Sequence, residues 1–132
     1  MTPAVLYQNP LCNKCCTAKA ILLKYNEERA DNDKLDYQVF EYLNVSWTRE
    51  MLEDILAKIV PEEAVPSPLV MMRKIESEFT TLGLDKLDPI ADRLELLDAM
   101  IAHPILIERP IFIRGNKAIV ARPAERIYEM LS

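Results

Sequence analysis

The sequence predicts an α/β protein: a four-stranded mixed sheet carrying helices, with a helical block at about 48–102 inserted between its halves, in a single domain spanning 1–132. Three observations lead there. The chain opens with a β-α-β pattern and closes with a β-β-α pattern, and about three helical periodicities lie between them. Its 132 residues suit one compact domain, since a second would be too small to bury a core of its own. A composition that is 50% hydrophobic and 28% charged excludes disorder and low-complexity scaffolds.

Each element follows in turn. Ala4 to Tyr7 is a short apolar run broken by Asn9-Pro10, hence a strand and then a loop. From about Cys15 to Arg29 two rows recur at helical spacing: Cys16, Ala20, Leu23 and Ala18, Ile21, Leu22, Tyr25. Glu27 to Lys34 is polar and forms a surface loop. Tyr37, Val39 and Phe40 with Tyr42 make the second strand. Ser46 or Thr48 caps a helix whose apolar face is Met51, Leu52, Ile55, Leu56 and Ile59. After Pro61 and Pro66, Ser67-Pro68 starts another, with Leu69, Met72, Ile75 and Phe79 on one side. Asp88-Pro89 repeats the start signal for Ile90, Leu94, Leu97 and Ile101, and His103-Pro104 ends that helix. Ile111 to Ile113, a turn at Arg114-Gly115-Asn116-Lys117 and Ala118 to Ala121 form a hairpin. Pro123 then begins a terminal helix carrying Ile127, Met130 and Leu131.

A β-α-β unit crosses over right-handed with parallel strands. Joined to a β-β-α unit, it gives the thioredoxin-like order with a helical insertion. Two glycines, Gly83 and Gly115, are too few for GxGxxG or a P-loop. A net charge of −5 leaves no overall field for nucleic acid or an anionic membrane. No apolar run reaches the ~18 residues of a membrane span, and the opening residues lack the pattern of a signal peptide. All three cysteines fall within 12–16, an odd number unsuited to a secreted disulfide framework. The expected setting is a reducing cytoplasm, with sulfur used for redox chemistry, nucleophilic attack or metal binding.

Cys12 stands between the first strand and the first helix. Unpaired N–H groups and the partial positive charge at a helix N-terminus favour thiolate there, and Lys14 adds a cation nearby. Cys12-Asn13-Lys14-Cys15 is a CxxC at a strand-to-helix junction, a redox signal in that context. Cys15 stays open between a resolving thiol and a passive neighbour. Cys16 follows the apolar phase of Ala20 and Leu23 and is expected to be a buried small hydrophobe. A zinc site of the cysteines and His103 is disfavoured, because adjacent Cys15 and Cys16 point about 100° apart on a helix. No metal and no tightly bound cofactor are expected.

Three arginines sit at element ends or beside proline: Arg73 in the inserted block, Arg109 before Pro110 and Arg122 before Pro123. Converging on Cys12, their planar donor forks would bind a tetrahedral oxyanion. For any one arginine, a solvated surface position is the commoner outcome.

The strings YQNPLCNKC, HPILIERPI at 103–111 and ARPAE at 121–125 resemble the glutaredoxin-dependent arsenate reductase family, to which Spx-type regulators are related. The resemblance runs over nearly the whole chain. It implies a thioredoxin-like fold with a helical insertion, Cys12 as nucleophile, and Arg73, Arg109 and Arg122 as oxyanion-binding residues. It further implies glutathione as co-substrate, with glutaredoxin or thioredoxin supplying electrons. Three positions differ from the family pattern: Gln8 stands where His is usual, Cys15 where Ser is common and Cys16 where Arg is common. Cys15 brings the chain nearer to the CxxC of the Spx-type branch. The alternative is therefore a redox-sensing, partner-binding protein switched by a Cys12–Cys15 disulfide. A general thiol oxidoreductase that needs none of the three arginines is a third reading. The fold further predicts a cis peptide bond at Arg109-Pro110, facing the active cysteine.

Overall fold

The computed structural model describes residues 4–9, 11 and 13–131, and the side chains of 13 and 14 are outside that description. The chain forms two compact units, one of residues 1–44 with 109–132 and one of residues 45–108.

The first unit contains β1 (Ala4–Gln8), α1 (Asn13–Glu27), β2 (Tyr37–Glu41), β3 (Ile111–Arg114) and β4 (Lys117–Val120), and a terminal 3-10 turn over Ala124–Met130. The strands form one sheet in the order β2-β1-β3-β4. β1 runs parallel to β2 with Leu6 opposite Val39, and antiparallel to β3 with Leu6 opposite Phe112. β3 and β4 form the expected hairpin, turned by Gly115 at φ 63, a left-handed conformation open to glycine at no steric cost. Leu6, Phe112 and Ile119 pack with Ala18, Leu22, Ile127 and Leu131, so α1 and the terminal turn share the core of this sheet. The Tyr25 hydroxyl donates to the Leu131 carbonyl at 3.0 Å, tying α1 to the terminal turn. Asn26 brackets Leu35 through both side-chain atoms, at 2.8 and 3.0 Å, and so closes the polar loop that leads into β2.

Only one of the two rows predicted on α1 faces the core. Ala18, Ile21 and Leu22 are buried, whereas Leu23 is 50% exposed and Ala20 and Cys16 face solvent. A helix lying against one sheet buries a single stripe, here in phase with residues 15, 18, 22 and 25. Cys16 is therefore an exposed thiol, contrary to expectation, and Cys15 takes the buried place. The terminal segment is a 3-10 turn rather than an α-helix.

The second unit contains α2 (Arg49–Ile59), α3 (Ser77–Thr81) and α4 (Arg93–Ala102). Thr48 caps α2, its hydroxyl accepting the Met51 N–H at 3.2 Å. Leu52, Ile55 and Leu56 of α2 and Leu96, Leu97 and Met100 of α4 supply much of the core. The Arg93 guanidinium grips both carboxylate oxygens of Glu53 and donates to the Pro66 carbonyl at 3.0 Å, locking α4 to α2. Arg49 and Asp98 make a second, exposed pair.

Two predicted helices are corrected here. The run from Leu69 to Phe79 is not continuous: a 3-10 turn covers Pro68–Met71, and α3 follows separately. Between them the Arg73 N–H donates to the Leu106 carbonyl at 2.7 Å and the Glu108 N–H to the Met71 carbonyl at 2.8 Å, around a Met72–Ile107 bridge. Long-range pairing has overridden local periodicity, and Ile75 is 81% exposed. Before α4, Asp88 Oδ1 accepts the N–H groups of Ile90 and Ala91 and makes a separate turn. Ile90 and Leu94 consequently face solvent, and the buried face is Leu96, Leu97 and Met100.

Candidate active site

The carboxyl ends of parallel strands, where the next helix begins, are the usual place for a ligand in an open α/β sheet. β1 ends at Gln8, and α1 begins at Asn13. In the loop between them the Asn9 side-chain oxygen accepts the Leu11 N–H at 3.0 Å, and the Asn9 N–H points at the Cys15 sulfur, 3.4 Å away. Cys15 is thus completely buried beneath the loop. Cys12, the predicted nucleophile, lies outside the described residues, as does the side chain of Lys14.

The antiparallel neighbour brings the arginines. Extending the register of β1 with β3 sets Pro110 opposite Gln8 and Arg109 opposite Asn9. Extending the β3–β4 register sets Arg122 opposite Arg109, and the Ala121 N–H donates to the Pro110 carbonyl at 2.8 Å. The Arg122 guanidinium then donates from Nη1 to the Arg109 carbonyl at 2.9 Å. The peptide bond at Arg109-Pro110 is cis, as expected, and so is that at Arg122-Pro123. Arg109 is only 8% exposed, and its Cζ lies 5.4 Å from the centroid of the Tyr42 ring. Tyr42 follows β2, whose last residue Glu41 pairs with Gln8, so the Arg109–Tyr42 stack lies at the carboxyl end of β1. A guanidinium over an aromatic face keeps its charge while shedding water.

Arg73 belongs to the second unit. Its side chain is 13% exposed and is bound by carboxylates, Nε donating to Glu76 at 2.8 Å and Nη1 to Glu108 at 3.5 Å. Its neighbourhood within that unit is therefore acidic. Of the sequence-predicted residues, Arg109 and Arg122 lie together at the edge where β1 ends, and Cys15 lies under the Asn9 backbone.

Two residues at this edge carry more than sequence reasoning assigned them. Gln8 and Arg109 are the two buried polar or charged residues among those described. Alternation along β1 held the signal for Gln8: it shares its face with buried Ala4 and Leu6. Tyr42, read as part of a strand, is the buried ring beneath Arg109. Among the described residues no group of three or more His, Cys, Asp or Glu could hold a metal ion. No helix among them is long and apolar enough to cross a membrane.

Comparison with known proteins gives the relatives of this chain. The model of the ArsC family matches residues 7–130. The arsenate reductase of Neisseria meningitidis serogroup B is 35% identical over 126 residues, covering 96% of this chain and 96% of that protein. That of Haemophilus influenzae is 32% identical over 127 residues, covering 96% and 97%. The solved structure of an arsenate reductase from Vibrio cholerae matches with a TM-score of 0.76 and 31% identity, over 96% of each chain. The architecture is thus the thioredoxin-like one of these reductases.

Proposed function

The chain belongs to the ArsC family, and from that premise we propose that it is an arsenate reductase working through the Cys12 sulfur. The Cys12 thiolate attacks arsenic, and one arsenate oxygen leaves as water after protonation. Arg109 and Arg122 bind the oxyanion and neutralise charge that develops on its oxygens. Two thiols then supply the two electrons: As(V) becomes As(III), the thiols become a disulfide, and arsenite departs. Glutathione and glutaredoxin are the donors we favour. Such donors require a reducing compartment, which supports a cytoplasmic location.

The observation that carries this reading is the buried Arg109, stacked on Tyr42 and joined through its carbonyl to Arg122, at the end of the strand that leads to Cys12. A guanidinium stays charged there, and its planar fork suits a tetrahedral oxyanion. The burial of Cys15 under the Asn9 loop supports a packing role for that thiol over a resolving or switching one.

The test is arsenite formation with glutathione and glutaredoxin, run beside a thioredoxin arm. Wild-type protein turns over and Cys12→Ser does not. Full turnover by Cys12→Ser would overturn the nucleophile assignment, and no turnover by wild type with either donor would overturn arsenate reduction.

A further inference from the structure

On the β2 side of the loop lies a cavity of about 190 Å3, bounded by Gln8 and Asn9 of one segment and by Glu41 to Asn44 of another. Gln8 is 93% buried, being 7% exposed, and its carboxamide lines this space with no hydrogen-bond partner among the described residues. A carboxamide that faces a cavity is free to pair with a molecule held there.

The lining tells what that partner is. Among its described residues there is no cation, and Glu41 contributes a carboxylate, steadied by the Asn44 amide at 2.7 Å. A dianionic oxyanion is repelled here. It belongs at Arg109, whose guanidinium stacks on Tyr42. Leu11 and Leu43 add apolar surface at the mouth, being 91% and 49% exposed. A carboxamide donates and accepts at once, which matches a peptide unit, and a carboxylate matches an ammonium. The small concave volume suits a small molecule, since a protein donor would need roughly 800 Å2 of its own surface against the site.

We infer that this cavity is the reductant subsite: Gln8 pairs with an amide of a small thiol peptide, Glu41 receives its ammonium, and the leucines cover its apolar part. The inference rests on the arsenate reductase reading and deepens it. It sets the two substrates apart, the oxyanion at the guanidinium groups of Arg109 and Arg122 and the thiol at the end of β2.

Two measurements test it. In steady-state kinetics Gln8→Leu raises the KM for glutathione about tenfold, the factor for losing one buried hydrogen bond. The KM for arsenate moves less than twofold, and Tm does not fall, because leucine fills the volume without an unpaired amide. An equal rise in both KM values, or a falling Tm, would make Gln8 an oxyanion ligand or a packing residue and overturn the inference. The second measurement needs no turnover. S-methylglutathione is titrated into the reduced full chain and followed by 1H–15N spectra. The expected result is a shift of the Gln8 side-chain amide and of the Tyr42 to Asn44 amides, several-fold weaker with the N-acetylated ligand. No shift there, shifts confined to Arg109 and Arg122, or equal binding of both ligands would overturn it. A wild-type protein that binds the ligand in this way yet fails to reduce arsenate would overturn the enzymatic reading while leaving the thiol-peptide subsite standing.

Discussion

Replacing Arg109 by lysine separates charge from geometry at the centre of the site. Arg109 is 8% exposed, with Cζ 5.4 Å from the Tyr42 ring centroid. Lysine keeps the positive charge but has no planar fork, so one of two charge-assisted hydrogen bonds to an oxyanion is lost. Such a bond contributes about 1.5–3 kcal/mol, which corresponds to about a 10- to 150-fold fall in kcat/KM for arsenate. The stack on Tyr42 is retained in weaker form, a change of about 0.5–1 kcal/mol, so Tm falls by only a few degrees. The assay is the initial rate of arsenite formation at saturating reductant, with the thermal transition followed in parallel by circular dichroism. A kcat/KM within twofold of wild type would refute the reasoning, because the fork would then have no oxyanion to hold. A collapse of Tm by tens of degrees would assign Arg109 to the core instead.

Other perturbations probe the scaffold. The Arg93 hydrogen bonds hold the Glu53 carboxyl below its ordinary value, so its stabilising effect is complete at neutral pH and is lost as pH falls through that lowered value. Glu53→Gln therefore costs about 1 kcal/mol at pH 7, discounted for a half-exposed carboxylate, and urea titrations of the two proteins converge in acid. Leu97→Ala, at a fully buried position of α4, lowers stability by about 2–5 kcal/mol, whereas Leu94→Ala at 53% exposure costs under about 1 kcal/mol by the same titration. In the native protein iodoacetamide labels exposed Cys16 well before buried Cys15, read by peptide mass spectrometry, and equal rates would contradict the helix phase described for α1.

Strand and helix order was legible where an element has a clean local signature: the apolar run of β1, Thr48 ahead of α2 and Gly115 in the hairpin. The helical phase was legible only where one face is polar. α1 offers two apolar rows, and α4 is apolar on several sides, so the choice of buried face rested on what packs against it. Leu69 to Phe79 failed for a different reason: the partner of Met72 is Ile107, far along the chain, and no local pattern announces it. At the site, arginines beside prolines in two sequence strings marked Arg109 and Arg122. The stack on Tyr42 comes from strand register, which a single sequence leaves open. The Glu108 partner of Arg73 arises from the pairing of residues 71–73 with 106–108, whereas Glu76 lies three residues along the chain.

The most direct measurement is the rate at which iodoacetamide alkylates Cys12, followed by peptide mass spectrometry with and without arsenate. Oxyanion held by Arg109 and Arg122 over the sulfur slows alkylation of Cys12 in the wild-type protein, and Arg109→Ala loses that protection. Alkylation of wild-type Cys12 at one unchanged rate, whatever the arsenate concentration, would mean that sulfur and oxyanion do not meet.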